Sequence, residues 1–254
     1  MLLEGRLPVG IFGIDYSLYS FSPFSFSHLF VLFLFLISCA CLYVFRTNNF
    51  FPSRRLEYMI AFLLIGLELF YQLWSYANGI WLLSQSLPLE LCSITLFLAL
   101  LLIFTQKKIF YELVFFTALL GATQALITPV LAFDFPHTRF FHFFLSHMLL
   151  IWVALYYTWN KGYRPTIWSI VKVFLFLNLL LPFIMYINTV VNGNYMFLSY
   201  KPTSASLLDV LGPYPWYILS LEGILIGFSI ILWLLFRKKK KHTAHIGLKY
   251  PIEK

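Results

Sequence analysis

Charged side chains are scarce in this chain, and their scarcity decides its class. Asp, Glu, Lys and Arg make up only 11% of the 254 residues, whereas 61% of the residues are hydrophobic. Soluble domains carry about a quarter charged residues, so a soluble globular protein is excluded and an integral membrane protein is indicated. The net charge of +8 therefore reflects the flanks of membrane-spanning segments, and we expect no nucleic-acid partner.

Cysteine is also rare, and the usual motifs of metal and phosphate sites are missing. Cys39, Cys41 and Cys92 all lie in apolar runs, which argues against a disulfide framework. The chain has no HExxH, no CxxC, no paired acidic motif and no glycine-rich phosphate loop. We therefore expect no metal site and no cofactor. No internal repeat is visible, although repeats are common in transporters.

Long apolar runs are abundant instead. A spanning helix needs about 20 mostly apolar residues, and this rule predicts seven of them. They cover residues 27–45, 57–82, 87–105, 109–132, 139–159, 167–190 and 214–236. The predicted fold is an all-α, polytopic domain over residues 27–236, after an interfacial segment (1–26) and before a basic tail (237–254). The long connection at 191–213 could form a lid or a re-entrant hairpin.

The basic residues fall on alternate connections and predict the orientation. One set of connections carries Arg46, Arg54 and Arg55, then Lys107 and Lys108, then Lys161 and Arg164, and finally Arg237 and Lys238 to Lys241. The opposite set carries only Arg139 and Lys201, with Arg6 in the N-terminal segment. By the positive-inside rule, the N-terminus lies outside and the C-terminus in the cytoplasm. We expect a multi-pass protein of the cell membrane.

Polar residues recur at one depth in four of the predicted spans. At a rise of 1.5 Å per residue, Gln72, Gln124, His147 and Glu222 each lie about 14–16 Å below the outer end of their span. Polar side chains in hydrocarbon must pair with each other or with water. These residues therefore predict a shared polar pocket that opens toward the outer leaflet, with Asn178 deeper, in its floor.

Cys92 is the candidate nucleophile of this pocket. It lies about 8 Å below the predicted start of its span, near a helix N-terminus whose dipole favours a thiolate. A lone buried cysteine can also be a small packing residue. Its base could be His142, which is closer in depth, or His147, which shares the layer of Gln124 and Glu222. Glu222 could orient the histidine, and Gln124 could stabilise an oxyanion.

Four sequence motifs carry a resemblance to a known family. They are FSPFSFSHLF at 21–30, LPLELCSITLF at 87–97, FPHTRFFHFFLSH at 135–147 and NYMFLSYKP…SLLDVLGPYPWYI at 194–218. With these motifs and seven spans, nearly the whole chain resembles the transmembrane protein 164 family and its bacterial YwaF-type relatives. More distantly, it is similar to the membrane threonine hydrolases that cleave branched fatty-acid esters.

The resemblance implies a cysteine acyltransferase that acts on phospholipids. By motif position it carries the nucleophile to Cys92 and the base to His147, with His142 as the alternative base. We assign substrate binding to Gln72, Asn178, Tyr195, Lys201 and Asp209. The expected partners are a phospholipid or lysophospholipid and the lipid bilayer. The alternatives are a lipid-ester hydrolase that uses the same residues and a non-enzymatic transporter or binding protein.

Overall fold

The computed structural model describes residues 10–47, 53–202 and 207–238. Within these ranges the chain forms seven apolar helices and no β-strand. They are α1 (Phe26–Val44), α2 (Arg54–Ala77), α3 (Leu91–Thr105), α4 (Lys108–Ile127), α5 (Thr138–Trp159), α6 (Ile167–Val191) and α7 (Trp216–Phe236). Short 3₁₀ turns lie at Tyr16–Leu18, Phe45–Thr47, Tyr195–Phe197 and Leu207–Val210. The predicted all-α class is confirmed.

Six of the helices in these described ranges are long and apolar enough to cross a membrane. The exception is α3, which has 15 residues and is therefore only about 22 Å long, shorter than the hydrocarbon core of about 30 Å. The prediction of a multi-pass helical membrane protein is confirmed, with six full-length helices and one shorter one.

The predicted start of the third span was wrong. The helix begins at Leu91 rather than at Leu87, because Pro88 disfavours a helical conformation for the residue before it. The backbone N–H of Leu87 instead donates to the hydroxyl of Tyr195 at 2.9 Å. Cys92 is consequently the second residue of α3 and does not lie more than a turn below its start.

Two other predicted spans ran too far at their outer ends. The chain leaves α2 after Ala77 and turns at Gly79, whose φ is +68°. It leaves α4 after Ile127, just before Pro129. Gln124 therefore lies in the last turn of α4, much nearer its helix end than the predicted 14–16 Å. For Gln72 and Gln124, the predicted common depth therefore rested on helix ends that the structure does not have.

Helices α4 and α5 form the centre of the bundle. They are the most buried of the described helices, and α5 packs against α1, α2, α3 and α4. The other helices expose many large apolar side chains, as expected for a lipid-facing surface. Helix α7 joins this centre through Phe236, whose ring centroid lies 5.4 Å from that of Phe115 in α4 and 6.3 Å from that of Trp159 in α5.

Helix α4 contains a π-helical segment at Ala118–Ala122. This segment contacts both α3 and α5. A Cβ atom on Gly121 would lie 3.1 Å from the side chain of Leu91, so the glycine lets the first turn of α3 approach closely. π segments inside α-helices are frequent at functional sites. This one lies between the helix that carries Cys92 and the helix that carries His147.

Residues 10–25 pack over one end of the bundle, beside the end of α2 and the start of α5. The indole of Trp74 donates to the carbonyl of Phe12 at 2.8 Å, and the backbone N–H of Thr138 donates to Ile11 at 3.0 Å. His137, fully buried, bonds through Nε2 to the carbonyl of Gly13 at 2.9 Å. Burial lowers the pKa of His137, which keeps it neutral in this contact. Residues 1–9 of the predicted interfacial segment lie outside the described residues, as do residues 239–254 of the tail.

The orientation can be tested by cysteine accessibility in a Cys39→Ala/Cys41→Ala/Cys92→Ala background. Because basic residues flank one end of the bundle, we expect Phe50→Cys and His245→Cys to react only after permeabilisation. Ala205→Cys should react in intact cells. Equal reactivity of Ala205→Cys and His245→Cys from the same side would contradict the predicted topology.

Candidate functional site

Cys92 lies at the start of α3, where the helix has free backbone donors. Its side chain is half-buried against the core, and no hydrogen bond to its thiol is found among the described residues. Glu90 is the N-cap, and the first intrahelical bond runs from Ile94 N–H to its carbonyl at 3.0 Å. The Glu90 side chain makes no capping bond. The N–H groups of Cys92 and Ser93 therefore have no partner in this part of the structure.

The outer connection after α6 is docked directly above this turn. The hydroxyl of Tyr195 donates to the carbonyl of Leu83 at 2.7 Å and accepts from Leu87 at 2.9 Å. The backbone N–H of Met196 donates to Glu90 Oε2 at 3.0 Å. The side chain of Tyr195 is fully buried. Its contacts hold the segment before α3 in place, while its predicted role in substrate binding stays a prediction.

A close approach of two backbones secures this docking. A Cβ atom on Gly193 would lie 2.9 Å from the carbonyl oxygen of Ser84, so only glycine fits there. Asn188, also buried, donates to the carbonyl of Tyr195 at 3.0 Å and accepts from its N–H at 2.8 Å. The start of α3 is thus held from above by a tightly built loop.

His142 has both ring nitrogens occupied. Its Nδ1 lies 2.7 Å from Nη1 of Arg139, and because a guanidinium only donates, Nδ1 is the acceptor. Its Nε2 lies 3.1 Å from the carbonyl of Leu67 in α2, so Nε2 carries the proton and donates it. The ring also stacks on Tyr71, with centroids 5.5 Å apart. In this arrangement His142 has no free lone pair with which to accept a proton from Cys92.

His147 has the opposite arrangement. Its Nδ1 lies 2.6 Å from the carbonyl of Phe143, so Nδ1 carries the proton and donates it. The basic lone pair is therefore on Nε2, for which no partner is found among the described residues. A backbone carbonyl that fixes the tautomer in this way leaves the other nitrogen available as a general base.

The other predicted pocket residues make mainly local contacts. The Gln72 amide donates to Glu68 at 2.8 Å and to the Ser86 carbonyl at 3.0 Å, and it accepts from Trp81 at 2.8 Å. The Gln124 amide donates to Thr128 at 2.6 Å, and that of Asn178 donates to the Phe174 carbonyl at 3.1 Å. Glu222 is half-buried. No hydrogen bond in the described ranges joins any two of Gln72, Gln124, His147 and Glu222, and their catalytic or binding roles stay predictions.

Two predicted substrate residues lie in the outer connection. The ammonium of Lys201 lies 5.6 Å from the ring centroid of Tyr217, a cation–π contact. Asp209 is exposed in the turn Leu207–Val210. These residues are on the same side of the bundle as Cys92, and their roles stay predictions. Residues 203–206 of the predicted lid lie outside the described residues.

Arg139 is a candidate that the sequence did not single out beyond its charge. Its guanidinium lies 4.4 Å from the ring centroid of Tyr71 and 5.3 Å from that of Trp74. No carboxylate lies within ion-pair distance of it among the described residues. A planar guanidinium is well suited to bind phosphate. The sequence signal that could have found Arg139 is its place as the one Lys or Arg of the motif at 135–147.

Glu57 was also missed, at the end of the bundle opposite to Cys92. Its fully buried carboxylate lies 2.5 Å from the ammonium of Lys161 and 2.7 Å from the guanidinium of Arg54. It also accepts from Tyr157 at 2.9 Å and from Gln106 at 2.7 Å. This network ties α2, the α3–α4 link and α5 together. A single carboxylate in the first turn of an apolar span is the signal that could have found it.

Comparison with known proteins identifies the family. No curated protein and no solved structure matches the chain. One family model matches residues 23–233, a range that includes α1 to α6, most of α7, and the segments that carry Cys92, Arg139, His142 and His147. The match covers most of the chain, and the protein belongs to the TMEM164 family.

Proposed function

We propose that the protein is a membrane-embedded lipid acyltransferase in which Cys92 is the nucleophile and His147 the general base. The observation that carries this proposal is the tautomer of His147, which leaves Nε2 as an unoccupied base. Helices α3 and α5 pack against each other, and the π segment of α4 contacts both. His142, with both nitrogens occupied, is the weaker candidate.

The first step is formation of a thioester. Nε2 of His147 takes the proton of the Cys92 thiol, and the thiolate attacks the carbonyl carbon of a phospholipid ester. As the C–S bond forms, the ester C–O bond breaks, and the leaving alkoxide takes the proton back from His147. The products of this step are the acylated cysteine and a lysophospholipid.

The second step transfers the acyl group. The hydroxyl of an acceptor lysophospholipid gives its proton to His147 and attacks the thioester carbon. The C–S bond then breaks, and the thiolate recovers the proton from His147, which restores the free enzyme. With water as the acceptor, the same residues would perform hydrolysis, which is the alternative reaction.

The start of α3 offers donors for the oxyanion that forms in both steps. The N–H groups of Cys92 and Ser93 lack intrahelical partners, and helix N-termini favour negative charge. Such donors stabilise tetrahedral intermediates in acyl transfer. Gln124 is a second candidate donor, although its amide currently donates to Thr128.

The surroundings of Arg139 support a phospholipid substrate. The guanidinium lies over Trp74, and Trp74 also lines an apolar groove of about 280 Å³ together with Phe12, Phe70 and Leu73. We assign the phosphate of the substrate to Arg139 and part of one acyl chain to this groove. Cation and groove together fit an amphiphile better than a small polar metabolite.

The two histidines provide the test of this function. The purified protein would be given a phospholipid with a labelled acyl chain and an unlabelled lysophospholipid acceptor. His147→Ala should lower acyl transfer by roughly 100-fold or more, the contribution of a general base. His142→Ala is a matched change in the same helix. It should lower acyl transfer less than about ten-fold, because both nitrogens of His142 are already hydrogen-bonded and no free base is lost.

The covalent intermediate gives a second readout. Without the lysophospholipid acceptor, the labelled acyl chain should accumulate on Cys92 of the wild type as a hydroxylamine-sensitive thioester. In His147→Ala it should accumulate much more slowly. Equal losses in the two histidine variants would contradict the assignment of the base. Release of labelled free fatty acid in the presence of acceptor would favour the hydrolase. Absence of any labelled protein or product would favour a transporter or binding protein.

A further inference from the structure

A basic cavity lies at the end of the bundle opposite to Cys92. It has a volume of about 430 Å³ and lies where α4 begins, where α5 passes into α6 and where α7 ends. Its lining includes Lys108, Lys161, Tyr163, Arg164, Thr166 and Lys238. Four of these residues are cations from three separate segments of the chain, and no acidic residue among the described ones lines the cavity.

Two buried carboxylates hold the walls of this cavity in place. Glu112, which is almost fully buried in α4, lies 2.5 Å from the ammonium of Lys172 and 3.8 Å from that of Lys108, and it accepts from Ser169 at 2.9 Å. The ammonium of Lys161 lies 2.5 Å from the carboxylate of Glu57. The ion pairs of Glu112 fix α4 to α6, and that of Glu57 fixes the α5–α6 connection to α2.

Two of the cations in the lining remain unneutralised. Arg164 donates through Nη1 to the carbonyl of Thr158 at 2.8 Å, and neither it nor Lys238 has a carboxylate partner among the described residues. Lys238 follows the end of α7, which Phe236 anchors against α4 and α5. The cavity thus has an excess of positive charge on a fixed frame.

Two helix N-termini add to this positive potential. Helix α4 begins at Lys108, and its N-cap makes no side-chain hydrogen bond. Helix α6 begins next to Thr166, which forms a capping box with Ser169. Helix N-termini carry partial positive charge and present backbone N–H groups that suit anions. The two helix N-termini and the four cations therefore favour the same kind of ligand, an anion.

The level of the cavity favours a lipid over a soluble anion. Beside it, the first turns of α6 and α4 expose large apolar side chains, namely Ile167, Trp168 and Ile109. Exposed tryptophan is typical of the membrane–water interface. The cavity therefore lies at the level of lipid headgroups, with apolar surface next to it for acyl chains.

We propose that this cavity binds the phosphate of an anionic phospholipid headgroup in the leaflet on that side of the membrane. The site is separate from the proposed catalytic residues, and it does not depend on the proposed acyl transfer. Basic pockets between spanning helices on the cytoplasmic side are known to hold anionic headgroups. A free phosphate would be recognised by the same chemistry, so the test must separate the two sources.

The test measures binding of phosphatidylglycerol to the purified full chain by native mass spectrometry. Lys108→Gln/Lys238→Gln removes two cations of the lining and should weaken binding by roughly ten-fold or more. Arg55→Gln/Lys107→Gln is the matched control, because it removes two exposed inner-side cations that are not among the residues lining the cavity. The control should bind phosphatidylglycerol like the wild type, and phosphatidylcholine should bind weakly to all three proteins.

Every outcome of this test decides the proposal. Equal weakening in both double variants would mean general surface electrostatics and would overturn it, as would no measurable preference for phosphatidylglycerol over phosphatidylcholine. Inorganic phosphate could instead bind as tightly as the lipid, with its binding lost in the same double variant. That result would mean that the ligand of the cavity is a soluble anion and not a lipid. Thermal unfolding without added lipid shows whether each variant is folded. If the double variant does not fold, the binding measurement is made on the single variant Lys238→Gln instead.

Discussion

Replacing Cys92 by alanine is expected to abolish acyl transfer and to leave the protein folded. The proposed thioester cannot form without the sulfur, and the base alone gives no covalent intermediate. The thiol makes no hydrogen bond within the described ranges and is only half-buried. Its loss therefore leaves a small cavity that costs about 1 kcal/mol or less. Acyl-transfer rate and thermal unfolding of the purified variant are the measurements.

Three further variants sharpen this prediction. Cys41→Ala is the matched control, because Cys41 is an exposed cysteine of α1, and it should retain full activity. Cys92→Ser should be much slower than the wild type but not inactive, since a hydroxyl is a poorer nucleophile that needs the same base. Cys92→Ala/His147→Ala should cost little more than either single change, because the two groups act as a unit. Full activity in purified Cys92→Ala would end the cysteine mechanism.

Composition and apolar run lengths were sufficient to predict the fold class. They identified each of the seven apolar helices in the described part of the chain, because in hydrocarbon a helix satisfies its backbone hydrogen bonds within one segment. They could not give the outer helix ends. Pro88 was a local signal for the later start of α3. The contact that holds the preceding segment, between Leu87 and Tyr195, joins residues that are far apart in the sequence and that only the tertiary fold brings together.

The same limit applies to the choice between the histidines. His142 and His147 lie in one motif, and neither spacing nor depth separated them. What separates them is the acceptor or donor that faces each ring nitrogen. Leu67 in another helix and Arg139 occupy His142, whereas the one hydrogen bond of the His147 ring among the described residues goes to the carbonyl of Phe143 in its own helix. A pattern of residue types along one helix carries no information about such partners.

The predicted polar layer shows a further limit of the sequence. Polar residues in apolar spans were taken to face one shared pocket, yet Gln72 uses its amide to hold the connection that leads to α3. Buried polar groups must be satisfied, and a neighbouring backbone segment satisfies them as well as a pocket does. In the structure the Gln72 amide holds that connection, and its role in substrate binding stays a prediction.

The second large expected effect concerns Glu57, at the end of the bundle opposite to Cys92. Replacing Glu57 by alanine should destabilise the protein strongly, because its carboxylate is the common partner of Lys161 and Arg54 and also accepts from Tyr157. Removing one member of a buried charged network costs about 3 kcal/mol or more. The exposed part of the Arg54 side chain, 41%, lets that cation reach water, so the loss should lie at the lower end of this range.

Thermal unfolding of the purified protein would measure this loss. Glu222→Ala is the matched control, since Glu222 is also a carboxylate in an apolar helix but has no ion pair among the described residues. We expect Glu57→Ala to lower the unfolding temperature by several degrees and Glu222→Ala to leave it nearly unchanged. Glu57→Gln, which keeps the hydrogen-bond acceptor but not the charge, should fall between them. If Glu57→Ala unfolds at the wild-type temperature, the network does not stabilise the inner end, and the frame of the basic cavity loses one of its two supports.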